Sequence, residues 1–138
     1  MANMINFFTY AELMNPKELE ALGFKYNAMF SVSLSSWKLV FNKTPFESTA
    51  PEGLGLANIA QTTDSLGMME GVIYEMDEAY LPRLDEIHHC PKEYQRKVMR
   101  FNKHDFTMVN AFIYVAREEK TGANLRPSKA MMQKIRGA

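Results

Sequence analysis

Residues 5–10 (INFFTY) form a short apolar run of strand length, the pattern of a strand buried on both faces. Helix signals follow at once. Asn15 can cap, Pro16 suits a first helical position, and Glu18 stands three residues after the cap. Leu19 and Leu22 then recur at helical spacing, and Gly23 is a natural stop. A strand running straight into a helix through residues 10–14 is a place where backbone N–H groups can converge on an anion. From Phe30 to Phe41 apolar residues alternate with serine and other polar residues at a period of two, which predicts β structure. Residues 44–55 carry Pro45, Pro51, Gly53 and Gly55 and read as a loop. Residues 56–60 and 69–76 look like two further strands. A second helix is expected over 80–88, with Pro82 in its first turn. Residues 94–102 and 106–117 form a hairpin turning at 103–105, and Ser128 can cap a short C-terminal helix. The whole predicts an α+β fold, with mostly antiparallel strands closing on themselves.

A chain of 138 residues suits one domain, taken as 1–138. Hydrophobic residues at 46% and charged residues at 23% exclude wholesale disorder. Sixteen Lys and Arg balance sixteen Asp and Glu, against a nucleic-acid partner, which calls for an excess of positive charge. No stretch approaches the roughly 20 apolar residues of a membrane span, so no membrane association is expected. The N-terminal residues lack the pattern of a signal peptide, and the expected location is cytoplasmic. Cys90 is the single cysteine, which excludes an internal disulfide.

Candidate chemistry gathers in two places. In the turn 10–16 a carboxylate at Glu12 opposes the anion that the backbone there would attract. In Leu84-Asp85-Glu86-Ile87-His88-His89-Cys90-Pro91, adjacent histidines on a helix point in different directions and make no metal pair. Leu81, Leu84 and His88 fall on one inward stripe, so His88 is either a hydrogen-bonded core residue or the group that moves a proton. No metal and no cofactor are expected. Cys90 reads as a buried or half-buried thiol.

The run Phe7-Phe8-Thr9-Tyr10-Ala11-Glu12-Leu13-Met14-Asn15-Pro16 resembles the opening signature of the γ-glutamylcyclotransferase-like family, in which a strand leads into Tyr-Gly-Ser/Thr-Leu/Asn-Leu/Met. Gly71-Val72-Ile73-Tyr74-Glu75-Met76 is similar to that family's Gly-x-hydrophobic-Tyr/Trp-x-Leu/Met strand. Residues 84–96 follow its Leu-Asp-x-x-Glu-Gly-x-Pro-x-x-Tyr-x-Arg element, and residues 37–43, 56–59, Pro127-Ser128 and Gly137-Ala138 resemble further pieces in order.

The resemblance implies a small mixed, mostly antiparallel β-barrel flanked by short helices, with a pocket at the first turn. It implies a small-molecule ligand, a γ-glutamyl compound held at the turn, whose own α-amine attacks the γ-carbonyl and releases 5-oxoproline while a glutamate moves the proton. Aligned on these motifs, the family glutamate falls on His88, the loop glycine on Ala11, the Ser/Thr on Glu12, and a late tyrosine near Met131. Tyr10, Leu13, Met14, Tyr94 and Arg96 are retained. The expected site is therefore His88 and Glu12 as catalytic groups, with Tyr10, Ala11, Leu13, Met14, Tyr94 and Arg96 binding substrate. With Glu12 orienting His88, activity would titrate near neutrality. The second reading is a non-catalytic module in which Glu12 selects an amine.

Overall fold

The computed structural model describes residues 3–45, 55–62, 67–122, 125, 127 and 129–136, apart from the side chains of Glu12, Ala130, Met131, Lys134 and Arg136. The strands are β1 (Met4–Thr9), β2 (Ala28–Ser35), β3 (Trp37–Lys43), β4 (Leu56–Gln61), β5 (Met68–Asp77), β6 (Tyr94–Lys103) and β7 (Met108–Ala116). The helices are α1 (Pro16–Ala21), α2 (Leu81–Ile87) and α3 (Lys129–Arg136), with a 3₁₀ turn at Glu12–Met14 between β1 and α1.

Among the described residues, β1-β5-β2-β6-β7 close into a barrel. Every pairing in it is antiparallel except the closing one, where β7 lies parallel to β1 with Phe7 opposite Phe112. The α+β class and the mixed, mostly antiparallel barrel expected from the sequence are the ones the chain adopts. β3 and β4 pair with each other as a two-stranded ribbon with a register shift between Val40 and Lys43, and Lys43 also bridges to Thr121.

Local chemistry explains the boundaries. Asn15 Oδ1 accepts the Lys17 N–H at 3.1 Å and starts α1, with Pro16 at its first position. Gly23 ends it at φ +88, a conformation that costs glycine nothing. Pro82 lies in the first turn of α2, where its missing N–H has no helical partner to lose. The alternation from Phe30 to Phe41 is broken by Ser36, whose φ of 69 turns the chain out of the barrel and into the ribbon. The last hairpin also differs from expectation. Lys103 N bonds Thr107 O at 2.9 Å, so β7 begins at Met108. Phe106 sits in the turn at φ 67 and is 97% exposed. The expected loop 44–55 and the Ser128 cap fall largely outside the described residues.

β1 and β7 are buried on both faces. Phe8 and Ile113 point into the barrel with Val32, Ile73 and Phe101. Phe7, Phe112 and Tyr114 point outward, beneath Leu19 of α1 and Leu84 of α2. Burying each such side chain contributes roughly 1.5–3 kcal/mol, and the double burial is why residues 5–10 show no alternation. The ribbon is attached by polar contacts. Asn58 Oδ1 accepts Ala116 N–H at 2.9 Å, and the Tyr94 hydroxyl donates to Ala57 O at 2.6 Å. Lys43, 0% exposed, donates to Thr44 O and reaches Glu93 Oε1 at 3.0 Å, while Lys120 holds the other carboxylate oxygen at 3.2 Å. Burial pushes the Glu93 carboxyl up, but the two lysines outweigh it and hold it below the ordinary range.

The inner face of the barrel is packed to contact at Gly71, where a Cβ would come 2.4 Å from Phe8 Cε2 and 2.6 Å from Thr9 O. Gly71→Ala therefore displaces Phe8 and the end of β1. The expected loss is roughly 1–3 kcal/mol by denaturant unfolding; a variant as stable as the parent would show that Phe8 yields without cost.

Candidate functional site

β1 and β7 run parallel, so the C-terminal ends of both strands emerge at the same end of the barrel. A cavity of about 360 Å³ lies there. The first turn contributes Tyr10, Ala11 and Leu13 to its wall, and α1 contributes Glu18 and Leu22. The ribbon supplies Leu56 and Ala57, the end of α2 supplies Ile87 and His88, and the barrel supplies Tyr94 and Tyr114. The turn is held from beneath: the Tyr74 hydroxyl donates to Leu13 O at 2.8 Å and to Met14 O at 3.2 Å. Two carbonyls of the turn are thereby fixed toward the core.

His88 caps the C-terminus of α2. Its Nδ1 lies 2.7 Å from Leu84 O. A carbonyl only accepts, so Nδ1 carries the ring proton and the lone pair is left on Nε2. The ring stacks on Tyr114 at 3.9 Å and 7° between planes, and meets Phe7 and Tyr94 edge-on at 5.9 and 6.1 Å. Burial is the largest influence on its basicity, outweighs the Leu84 carbonyl and the Asp85 charge, and lowers the His88 pKa from 6.5 to about 4. The titration near neutrality expected from sequence is thus displaced to acid, because an apolar aromatic wall surrounds the imidazole.

Tyr10 donates its hydroxyl proton to Tyr114 O at 2.7 Å, and Tyr94 spends its own on Ala57 O. Burial raises the Tyr10 pKa well above the ordinary phenol value, with Tyr94 adding to it. Neither hydroxyl gives a proton to a ligand without breaking these bonds.

Tyr10, Ala11, Leu13, Tyr94 and His88 therefore come together around one cavity. Met14 and Arg96 do not line it. The Met14 carbonyl sits under Tyr74, and Arg96 Nη1 grips Asp85 Oδ1 and Oδ2 at 2.8 and 2.7 Å. The Glu12 side chain and Met131 lie outside the described side chains. Glu18 and Tyr114 are among the lining residues that the sequence pattern does not single out as site residues. Glu18 was read only as a helix-start signal. Tyr114 lies in the apolar run Ala111-Phe112-Ile113-Tyr114-Val115-Ala116; its one available signal is that a buried tyrosine hydroxyl needs a partner. No group of three or more His, Cys, Asp or Glu side chains is placed to hold a metal among the described residues. Nor is any described helix long and apolar enough to cross a membrane.

The parallel seam of the barrel thus opens into a cavity with a neutral imidazole in its wall. The chain belongs to the gamma-glutamyl cyclotransferase, AIG2-like family, whose model matches residues 7–131. Among solved structures it resembles an uncharacterized human protein at 16% identity, covering 97% of this chain and 77% of that one, with a TM-score of 0.79. A gamma-glutamyl cyclotransferase matches at 16% identity over 96% and 76%, TM-score 0.78. An AIG2-like protein from mouse matches at 19% over 91% and 96%, TM-score 0.59. At these identities the likeness is one of fold. No curated protein matches the chain.

The low pKa of His88 has a consequence for stability. The folded-state value of about 4 lies below 6.5, so as pH falls through this window the unfolded chain binds a proton that the folded chain refuses. Stability is expected to drop by up to about 3 kcal/mol on this account between pH 6.5 and 4. His88→Gln removes that contribution and flattens the slope of unfolding free energy against pH. Equal slopes for parent and variant would show that the ring is not desolvated.

Proposed function

We propose that the protein catalyses the intramolecular cyclisation of a γ-glutamyl amine or peptide, releasing 5-oxoproline, with His88 as the proton carrier. The observation that supports this is the sharing of one cavity by the 10–13 turn and an imidazole whose lone pair is on Nε2. In this reading the substrate's free α-amine attacks its own γ-carbonyl, forming the ring C–N bond, and Nε2 takes the proton from that nitrogen. The imidazolium then returns it to the departing amine nitrogen as the original amide C–N bond breaks. Holding amine and carbonyl folded together makes ring closure a proximity effect. Tyr10 and Tyr94 bind substrate in this reading, with the backbone of Ala11 and Leu13, and Glu12 stands beside them at the turn.

One observation favours a second reading. Glu18 lines the cavity, and neither Lys nor Arg does among the described residues, a charge balance that suits retention of an amine without turnover.

Mass-spectrometric detection of 5-oxoproline after incubation with γ-glutamyl amines and peptides tests the proposal. His88→Ala is expected to lose at least about 100-fold in rate. With a base of pKa about 4, kcat/KM shows no inflection between roughly pH 5 and 7 and rises as the substrate amine loses its proton near about 8. Product release by His88→Ala at the parental rate would overturn the role of His88. Thermal stabilisation by polyamines with no 5-oxoproline formed would establish the second reading instead.

A further inference from the structure

We propose that Arg96 and Asp85, outside the cavity, and Tyr114, in its wall, form a chain of positioning residues that fixes the imidazole of His88. The chain begins at the surface, where one nitrogen of Arg96, Nη1, reaches both oxygens of Asp85 at 2.8 and 2.7 Å. Both side chains are partly exposed, and an ion pair so placed contributes little to stability by itself. What distinguishes it is its third member. The Tyr114 hydroxyl donates to Asp85 Oδ1 at 2.5 Å. Tyr114 is itself buried, so its hydroxyl has to find a partner, and Asp85 at the protein surface supplies it.

The far side of Tyr114 is the face on which His88 stacks, at 3.9 Å and nearly parallel. Four contacts therefore define the imidazole. Leu84 O fixes its rotation through Nδ1, Phe7 and Tyr94 confine its edge, and Tyr114 sets its plane. Tyr114 is anchored by Asp85, a group outside the cavity. The same residue offers its carbonyl to the Tyr10 hydroxyl, so a shift of Tyr114 moves two cavity residues together. Arg96, retained from the family motif, thus acts on the cavity without lining it.

The role of the chain in turnover rests on the cyclisation reading, but its role in placing His88 does not. Three variants separate the two. Tyr114→Phe keeps the stacked ring and the backbone acceptor for Tyr10 while removing the bond to Asp85. Arg96→Ala removes the surface anchor, and Arg96→Lys restores a cation whose single nitrogen can meet the Asp85 carboxylate as Nη1 does. The first readout is NMR of the His88 ring, assigned with His88→Gln. The displacement of its C–H proton shifts by the Tyr114 ring current is expected to shrink by about half or more in Tyr114→Phe and Arg96→Ala, and to return in Arg96→Lys. The second readout is kinetic: kcat falls roughly tenfold or more in the first two variants while KM stays within about twofold, as for loss of alignment rather than of binding. Unchanged His88 shifts in both variants overturn the proposal. If Tyr114→Phe fails to fold, the Arg96→Ala and Arg96→Lys pair decides. If the parent protein makes no 5-oxoproline, the cyclisation reading falls, and the NMR result alone decides whether the chain positions His88.

Discussion

The placement of everything around the cavity depends on one closure, the parallel contact of β1 with β7 at Phe7 and Phe112. An antiparallel meander would put the exits of neighbouring strands at opposite ends of the barrel. The parallel seam puts Tyr10 and Tyr114 at the same end, close enough for the hydroxyl of one to meet the carbonyl of the other. Both strands are then covered on their outer faces by α1 and α2 through Leu19 and Leu84. α2 therefore ends beside the seam, and its C-cap residue His88 falls on the cavity wall. A single topological fact brings the first turn, the last strand and the second helix into one site.

The second constraint is polar. The β3–β4 ribbon supplies the Leu56–Ala57 wall but does not belong to the barrel sheet. Its seat is set by Tyr94 on Ala57 O, by Ala116 N–H on Asn58, and by Lys43 buried against Glu93. Apolar packing tolerates small slippages, whereas a buried ammonium left without its carboxylate is costly. Glu93 and Tyr94 are consecutive, so the contact that neutralises Lys43 also locates the tyrosine that closes the cavity.

The strands were legible in the sequence because burial leaves a period of two, as in Val32 and Leu34, or an unbroken apolar run, as in residues 5–10. His88 was legible as an inward polar residue on a helical stripe. The separation of the ribbon was not, since the alternation merely shifts phase between Leu34 and Trp37, whereas it is the φ of Ser36 that turns the chain aside. The extent of the site was legible in part. Ala11, Leu13, Tyr10 and Tyr94 line the cavity because a turn and a strand start fix them locally. The contact of Arg96 with Tyr114 was not legible in the pattern, because they face each other on paired strands and meet at Asp85 of a helix. A contact among three elements leaves no periodicity in any one of them.

In the cyclisation reading, a histidine at position 88 where the family motif has glutamate would change charge more than basicity. A pKa of about 4 is close to that of an ordinary glutamate, about 4.3. A carboxylate base is negative before it takes a proton and neutral after; an imidazole is neutral before and positive after. The family's proton carrier would discharge the cavity at the moment of reaction, and His88 would charge it. An imidazolium inside walls of phenylalanine and leucine is penalised, which is the same desolvation that lowers its pKa. Three features offset that penalty here: Leu84 O on Nδ1, the face of Tyr114 against the ring, and the Asp85 carboxylate behind the Tyr114 hydroxyl. These only partly cancel the burial, and in the cyclisation reading the lowered pKa would make the imidazolium a strong acid toward a departing amine. In the cyclisation reading the free amine of a substrate, rather than its ammonium, would be the form to meet Nε2, because only the free amine can attack the carbonyl and then hand over a proton.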